Sequence, residues 1–341
     1  MNSKFILTLS DSERDFLYKE LNKISYDPTG SFQYVTEVRK IGFNALPPRI
    51  LERLNEIKAS LSSCPYILIE NLPVDDIVYT TPDPQKFNPK AKSGFISENV
   101  IMTISSLIGE PYSMLHEGHE IVNNLIPKIE NKKEYTGLGS EVELDFHIEN
   151  AALKFMGDWN FSPSGLILTG VRHDPQKPLT RISDAREALN LLSEKEIDLL
   201  KQPIYQIKVP YRWRLSIPGD MQVTDLVPII QGENNSPEIS VAFYPDMVSP
   251  QNSEADSALK NFHTAIQKVG FGVDIAPGRL IYVNNRFTLH SRDQFVPTFD
   301  KNGNALRWVQ RVLVAPDLWN HRNLKQVKKR VFTPVHEAVT I

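Results

Sequence analysis

The chain has 341 residues, 41% hydrophobic and 23% charged, with a formal net charge of −3 at pH 7. That is an ordinary globular balance with ample length for a core, and the weak charge exerts no general pull toward nucleic acid or an anionic membrane. The single cysteine, Cys64, excludes an internal disulfide. The opening MNSKFILTLSDSERD is too broken for a secretory signal and no stretch is long enough to span a bilayer, so a cytoplasmic protein is expected.

Ser10 and Glu13 stand at capping-box spacing, with Phe16, Leu17, Leu21 and Ile24 following at helical intervals, which predicts a helix over 10–25. Residues 30–44 read as irregular. LPPRILERLNEIKASLSS reads as a second helix with Pro48 near its first turn. PYILIENLP is a short buried strand stopped by Asn71 and Pro73, and the polar, proline-bearing DDIVYTTPDPQKFNPKAKSG is a loop. SENVIMTISSLIG reads as a helix ending at Gly109. From 139 onward strands dominate, with candidates at 143–149, 164–171, 204–215, 238–244, 278–284 and 306–315. Two short helices in SDAREALNLLSEKEIDLLKQ interrupt them, where Ser193 and Glu196 repeat the capping-box spacing, and a further helix falls near 254–268. Helices first and strands later, without regular alternation, predict an α+β fold. The basic run HRNLKQVKKR reads as a solvated face, not a nucleic-acid site.

Three motifs compete for a chemical role. HEGHE, at 116–120, has zincin-like residues at the wrong spacing, because two ligands on one helix face need the HExxH interval. There is no GxSxG elbow, Cys64 has no argued base, and GFG at 270–272 is not a phosphate loop. ELDFHIENAAL, at 143–153, alternates like a strand, so His147 and Glu149 project to one face with Ile148 on the other. His290 follows a strand-like RLIYVNN. In ALRWVQRVLVAP, Arg307 and Arg311 lie an even number of residues apart and share a face, with Trp308 and Val312 opposite. Two guanidinium groups on a buried face are costly unless each meets an anion, and their planar forks suit carboxylates. Internal acidic partners are the alternative.

Two histidines and one carboxylate are the facial set of non-haem Fe(II) oxygenases. The order His147-x-Glu149, His290, Arg307 resembles the Fe(II)/2-oxoglutarate-dependent oxygenases, and within them the clavaminate-synthase-like group, with arginine and lysine hydroxylases among its members. GSEVELDFHIENA, GHEIVNNLIP, KPLTRISDAREAL, RLIYVNNRFTLHSRDQF and LRWVQRVLV are each similar to a segment of that group, and together they span roughly 65–315. Ile148 stands where the group has threonine, Pro178 where it has alanine, and LKFMGDWNFSPSG is longer than the group's pattern.

The resemblance implies a double-stranded β-helix (jelly-roll, cupin-like) core with flanking N-terminal and inserted helices. It makes 1–341 one oxygenase domain, with a helical flank at 1–64, a β-core at 65–315 and an extension at 316–341. The long polar 212–238 stretch is a candidate lid. His147, Glu149 and His290 would bind Fe(II). Arg307 would take the C5 carboxylate of 2-oxoglutarate with Thr180 as a hydroxyl contact, and O2 would be the oxidant. Arg311 would hold the substrate's α-carboxylate. His116, Glu117 and Glu149 would meet its amino group, and Asp246 its side chain. The implied activity is hydroxylation of an unactivated C–H of a free L-amino acid, basic by preference, with L-lysine ahead of L-arginine. Desaturation, cyclisation or action on a derivative or carrier-tethered residue are variants of that chemistry, and a non-catalytic cupin-like binder is the reading from another class. The expected partner is a small molecule, with no nucleic acid, no membrane and no indicated oligomer.

Overall fold

The eight residues Trp308–Ala315 are all buried, and a strand buried on both faces belongs inside a sheet with both sides covered. In the computed structural model this strand lies between Gly165–Arg172 on one side and Glu110–Met114 with Asn123–Leu125 on the other, all antiparallel. The sheet continues from Gly165–Arg172 through Leu280–Asn284 and Tyr66–Glu70 to Ile6–Thr8. Its far edge is the hairpin of Val331–Thr333 and Lys325–Lys328, making nine strands. A second, four-stranded sheet runs Phe271–Val273, Thr180–Asp184, Thr288–Arg292, Leu144–His147. The structure describes residues 2–59, 64–84, 86–133, 135, 139–155, 160–214 and 217–334.

Period-two alternation sorts the large sheet into two cores. Ile67, Ile69, Ile167, Tyr282, Val312 and Val314 pack under a helical layer. Their neighbours Leu68, Leu166, Leu168, Ile281, Val283 and Leu313 face the four-stranded sheet, where Phe146, Ile182 and Leu289 meet them. The helical layer is Asp11–Leu21, Phe32–Ala45, Pro48–Ala59 and Ile96–Ile108, the last buried along its whole length. Gly42 lets two of these helices touch, since a Cβ there would stand 2.8 Å from Leu107 Cδ1. The resulting fold is a mixed α/β one with a large sheet.

Both expected capping boxes form, at Ser10 and Ser193. Three expectations need correction, and the candidate lid packs partly on the core. Residues 30–44, read as irregular, contain the helix Phe32–Ala45, capped by Ser31 and burying Tyr34, Val35, Val38 and Gly42 at helical spacing. The 204–215 strand stops at Ile207, and Tyr211–Arg214 is a helical turn after Pro210. The 238–244 strand shrinks to Glu238–Ile239, although Ala242 still bridges to His147. The 212–238 stretch, read as a lid, sends Trp213, Val227, Ile229 and Ile230 into the main core. Residues 156–159 of the longer-than-expected LKFMGDWNFSPSG lie outside the described residues. Among the described residues, no helix is long and apolar enough to cross a membrane.

Candidate metal and substrate cleft

His147 ends one strand of the smaller sheet and His290 sits mid-way along the next. The two are register partners, with ring centroids 4.2 Å apart. Beyond His147 the alternation holds for two more residues, so Ile148 enters the core and Glu149 returns to the histidine side. One donor atom from each of His147, Glu149 and His290 lies within 4.8 Å of the others, and all three residues are buried.

Hydrogen bonds outside the triad orient it. His147 Nδ1 is 2.8 Å from the Asp145 carbonyl, which can only accept, so Nδ1 carries the proton and Nε2 keeps its lone pair. Burial, reinforced by the neighbouring His290, pushes His147 down to about 4, so the ring is neutral at pH 7, the form a metal requires. Burial alone would raise the Glu149 carboxyl, but Arg311, then His290 and His147, outweigh it and hold the group well below the usual carboxylate range. The Glu149 backbone is clamped by Asn285, a residue distant in sequence. Asn285 Oδ1 accepts from its N–H at 2.8 Å, and Asn285 Nδ2 donates to its carbonyl at 3.0 Å and to that of Pro163 at 2.8 Å. The following residue, Asn150, is left-handed (φ 54°) and turns the chain out of the site.

Arg311 of the central strand and Arg307, the residue just before that strand begins, reach the same cleft with different surroundings. Arg311, 4% exposed, donates to Glu149 Oε2 at 2.8 Å and to Glu117 Oε2 at 2.6 Å. Trp213 Nε1 donates to the other oxygen of Glu117 at 2.7 Å. Burial would lower Arg311, but the two carboxylates more than reverse that and raise it. Arg307 is 7% exposed and forms no ion pair among the described residues. Burial pushes it down to about 10. Its guanidinium lies 5.7 Å from the Phe295 ring, and Arg292 lies 5.6 Å from the same ring. Arg292 donates to the carbonyls of Gly139 and Val142, and burial followed by the charge of Arg307 takes it down to about 9.

The cleft spans about 730 Å³, counting the part open to solvent, and its lining includes the triad, Thr180, Arg292, Arg307, Arg311 and Glu117. Tyr135, Leu144, Pro210 and Tyr244 line it too. Thr180 is the register partner of Arg292, which puts its hydroxyl at the arginine end. Two expected contacts are not brought in. His116 packs against the Trp213 ring at 4.9 Å, behind Glu117, and does not line the cleft. Asp246 is in an exposed turn with φ 62°, ion-paired to Lys208 and, at 3.0 Å, to Arg214. A residue in that conformation after a proline turns away from the strand's inner face, which Tyr244 occupies instead. Sequence reasoning also missed Arg292, although it stands two residues after His290 in an alternating strand. Asn285 and Trp213 carried no local signal.

No model of a known protein family matches the chain. Curated relatives do. The chain is 24% identical to the L-asparagine oxygenase of Streptomyces coelicolor, over 95% of this chain and 93% of that protein. It is equally identical to the L-lysine 3-hydroxylase of Catenulispora acidiphila, over 96% and 88%, and to clavaminate synthase 2 of Streptomyces clavuligerus, over 80% of each. The chain is homologous to the clavaminate-synthase-like oxygenases. Solved structures agree on the fold. Asparagine oxygenase in complex with Fe(II), 2S,3S-3-hydroxyasparagine and succinate superposes with a TM-score of 0.81 at 23% identity, covering 97% of this chain and all of that one. The oxygenase OrfP with Fe, succinate and (3S)-hydroxy-L-Arg gives 0.80 at 20% identity, covering 96% and 99%.

Proposed function

We propose that this chain is an Fe(II)- and 2-oxoglutarate-dependent oxygenase that uses O2 to hydroxylate an unactivated C–H of a free L-amino acid. One observation carries the reading: a buried His147–Glu149–His290 set shares a cleft with Arg307, a buried arginine that forms no ion pair among the described residues. Two neutral imidazoles and a carboxylate are the right donors for a first-row divalent metal with open positions. A buried cation without an ion-pair partner suits an incoming carboxylate. The relatives add support, since their names include oxygenases or hydroxylases of asparagine, lysine and enduracididine. We read the two facing sheets as a double-stranded β-helix, the core of one unit over 1–341.

Bound there, the metal and 2-oxoglutarate supply oxidative power from O2, giving succinate, carbon dioxide and one oxygen atom for the substrate. The chain's own groups supply position. Arg307 takes the distal carboxylate of the oxoacid, with Thr180 and Arg292 beside it. Arg311 and Glu117 form an ion pair that a zwitterionic amino acid can replace contact for contact, carboxylate on Arg311 and ammonium on Glu117. Trp213 keeps Glu117 aimed while this happens. Fixing one end of the substrate points one carbon at the metal, and an error of about 1 Å can cost on the order of 100-fold in rate. The burial of Arg311 favours a free amino acid over a carrier-tethered one, because a thioester has no carboxylate to offer it. The test is succinate formation with Fe(II), 2-oxoglutarate and O2 across the twenty free L-amino acids, with products weighed by mass spectrometry. Gain of one oxygen on a free amino acid supports the reading. Failure to form succinate together with failure to bind iron would refute it.

A further inference from the structure

We infer that the amino acid accepted by this cleft has an uncharged side chain, selected by a wall built on Tyr244 and Tyr135; the inference rests on the oxygenase reading above. A basic side chain was expected from the resemblance to arginine and lysine hydroxylases, with Asp246, or else Glu117 or Glu149, to meet it. Asp246 instead stands on the surface, its carboxylate shared by Lys208 and Arg214, and the preceding Pro245 carbonyl accepts from the Tyr211 hydroxyl. Among the described residues lining the cleft, the carboxylates are Glu117 and Glu149 alone. Glu149 belongs to the metal and Glu117 to the substrate's ammonium group, so neither is left for a second cation.

What faces the side chain is apolar and aromatic. Tyr135 and Tyr244 lie parallel, with centroids 6.2 Å apart and planes at 6°, beside Leu144. Tyr211, Ala242 and Met247 back them. Tyr244 also meets the His147 ring edge-on at 5.6 Å, so it bounds the space nearest the reacting carbon. Aromatic faces attract cations, but these two rings stack on each other and Tyr211 lies against both, at 6.1 and 6.2 Å. The charge balance points the same way. Arg292, Arg307 and Arg311 stand against two carboxylates in the lining, and a buried cation added without a partner loses its hydration for nothing. An acidic side chain fares no better, since Lys208 and Arg214 are engaged with Asp246 outside the lining, Arg307 and Arg311 take the oxoacid's distal carboxylate and the substrate's own carboxylate, and Arg292 is committed to the carbonyls of Gly139 and Val142.

The experiment is calorimetric titration of the Fe(II)- and 2-oxoglutarate-loaded protein, kept anaerobic, with each of the twenty free L-amino acids, followed by succinate and product mass under air. The expected result is that the tightest ligand has an uncharged side chain and binds at least about tenfold more tightly than L-lysine or L-arginine. Tyr244→Asp should narrow or reverse that ratio while still binding iron and 2-oxoglutarate, which shows that the variant is folded. Tightest binding and turnover of a charged amino acid would overturn this inference and leave the oxygenase reading intact. Absence of binding and of succinate with all twenty would remove the oxygenase reading, and this inference with it.

Discussion

Arg311 lies in the central strand and Arg307 immediately precedes it, both line one cleft and both are almost wholly buried, yet they differ in what neutralises them. Arg311 sits between Glu117 and Glu149, and its charge is balanced within the chain. Arg307 has aromatic company from Phe295 and no ion-pair partner among the described residues. Removing one member of a buried ion pair strands the other, whereas removing an uncompensated charge relieves the fold of a burden. The first arginine is therefore built into stability, whereas the second has only the more distant charges of Asp174 and Asp274 to set against its burial, which on the proposed function leaves it for a ligand's anion.

That contrast can be broken directly. Arg311→Gln should destabilise the protein by about 3–5 kcal/mol, because Glu117 and Glu149 are then left buried and facing each other; chemical denaturation reads this. Arg307→Gln should leave the unfolding midpoint unchanged or raised while weakening 2-oxoglutarate binding about 30-fold or more, as expected for loss of a buried charged contact of about 2 kcal/mol or more. A 2-oxoglutarate titration that does not move in this variant would place the oxoacid elsewhere. Asn285→Ala sharpens the comparison at a neutral site. It frees the Glu149 backbone without touching a charge, and should weaken Mn(II) or Fe(II) binding about 10–100-fold, the range for outer supports of metal ligands.

The smallest effect concerns a buried group outside the cleft. His321 packs edge-on to Tyr112 at 4.3 Å with neither ring nitrogen hydrogen-bonded, and burial takes it from 6.5 down to about 4. The folded form thus resists the proton that the unfolded chain accepts. Between those two values the unfolded state binds more protons, so stability falls as pH falls. Acidification from pH 7 to 5.5 should cost about 1 kcal/mol through this group. His321→Leu should flatten that part of the stability–pH profile.

Much of the catalytic end was legible because strand alternation is local. His147 with Glu149, and Arg307 with Arg311, sit at even spacings, and the structure places both pairs in one cleft. The same rule applied to His290 would have found Arg292. Side-chain partnerships across the fold left no such trace. Asn285 reaches Glu149 from 136 positions away in sequence, and Trp213 reaches Glu117 from a segment that read as a loose lid. Asp246 was misplaced for a backbone reason: its positive φ after Pro245 throws the side chain outward, and no strand pattern encodes that. The helix Phe32–Ala45 was missed because its buried face mixes Tyr34, Val35 and Val38, aromatic and β-branched residues that weaken a helical reading until tertiary packing overrides it.

The most direct test of the central claim compares the native chain with His147→Ala, both supplied with Fe(II), 2-oxoglutarate, O2 and the twenty free L-amino acids. Iron-dependent succinate matched by one added oxygen on an amino acid in the native protein, with both lost in a folded His147→Ala variant, is the predicted result. Equal succinate from the two proteins would contradict the assignment of the metal to His147, Glu149 and His290.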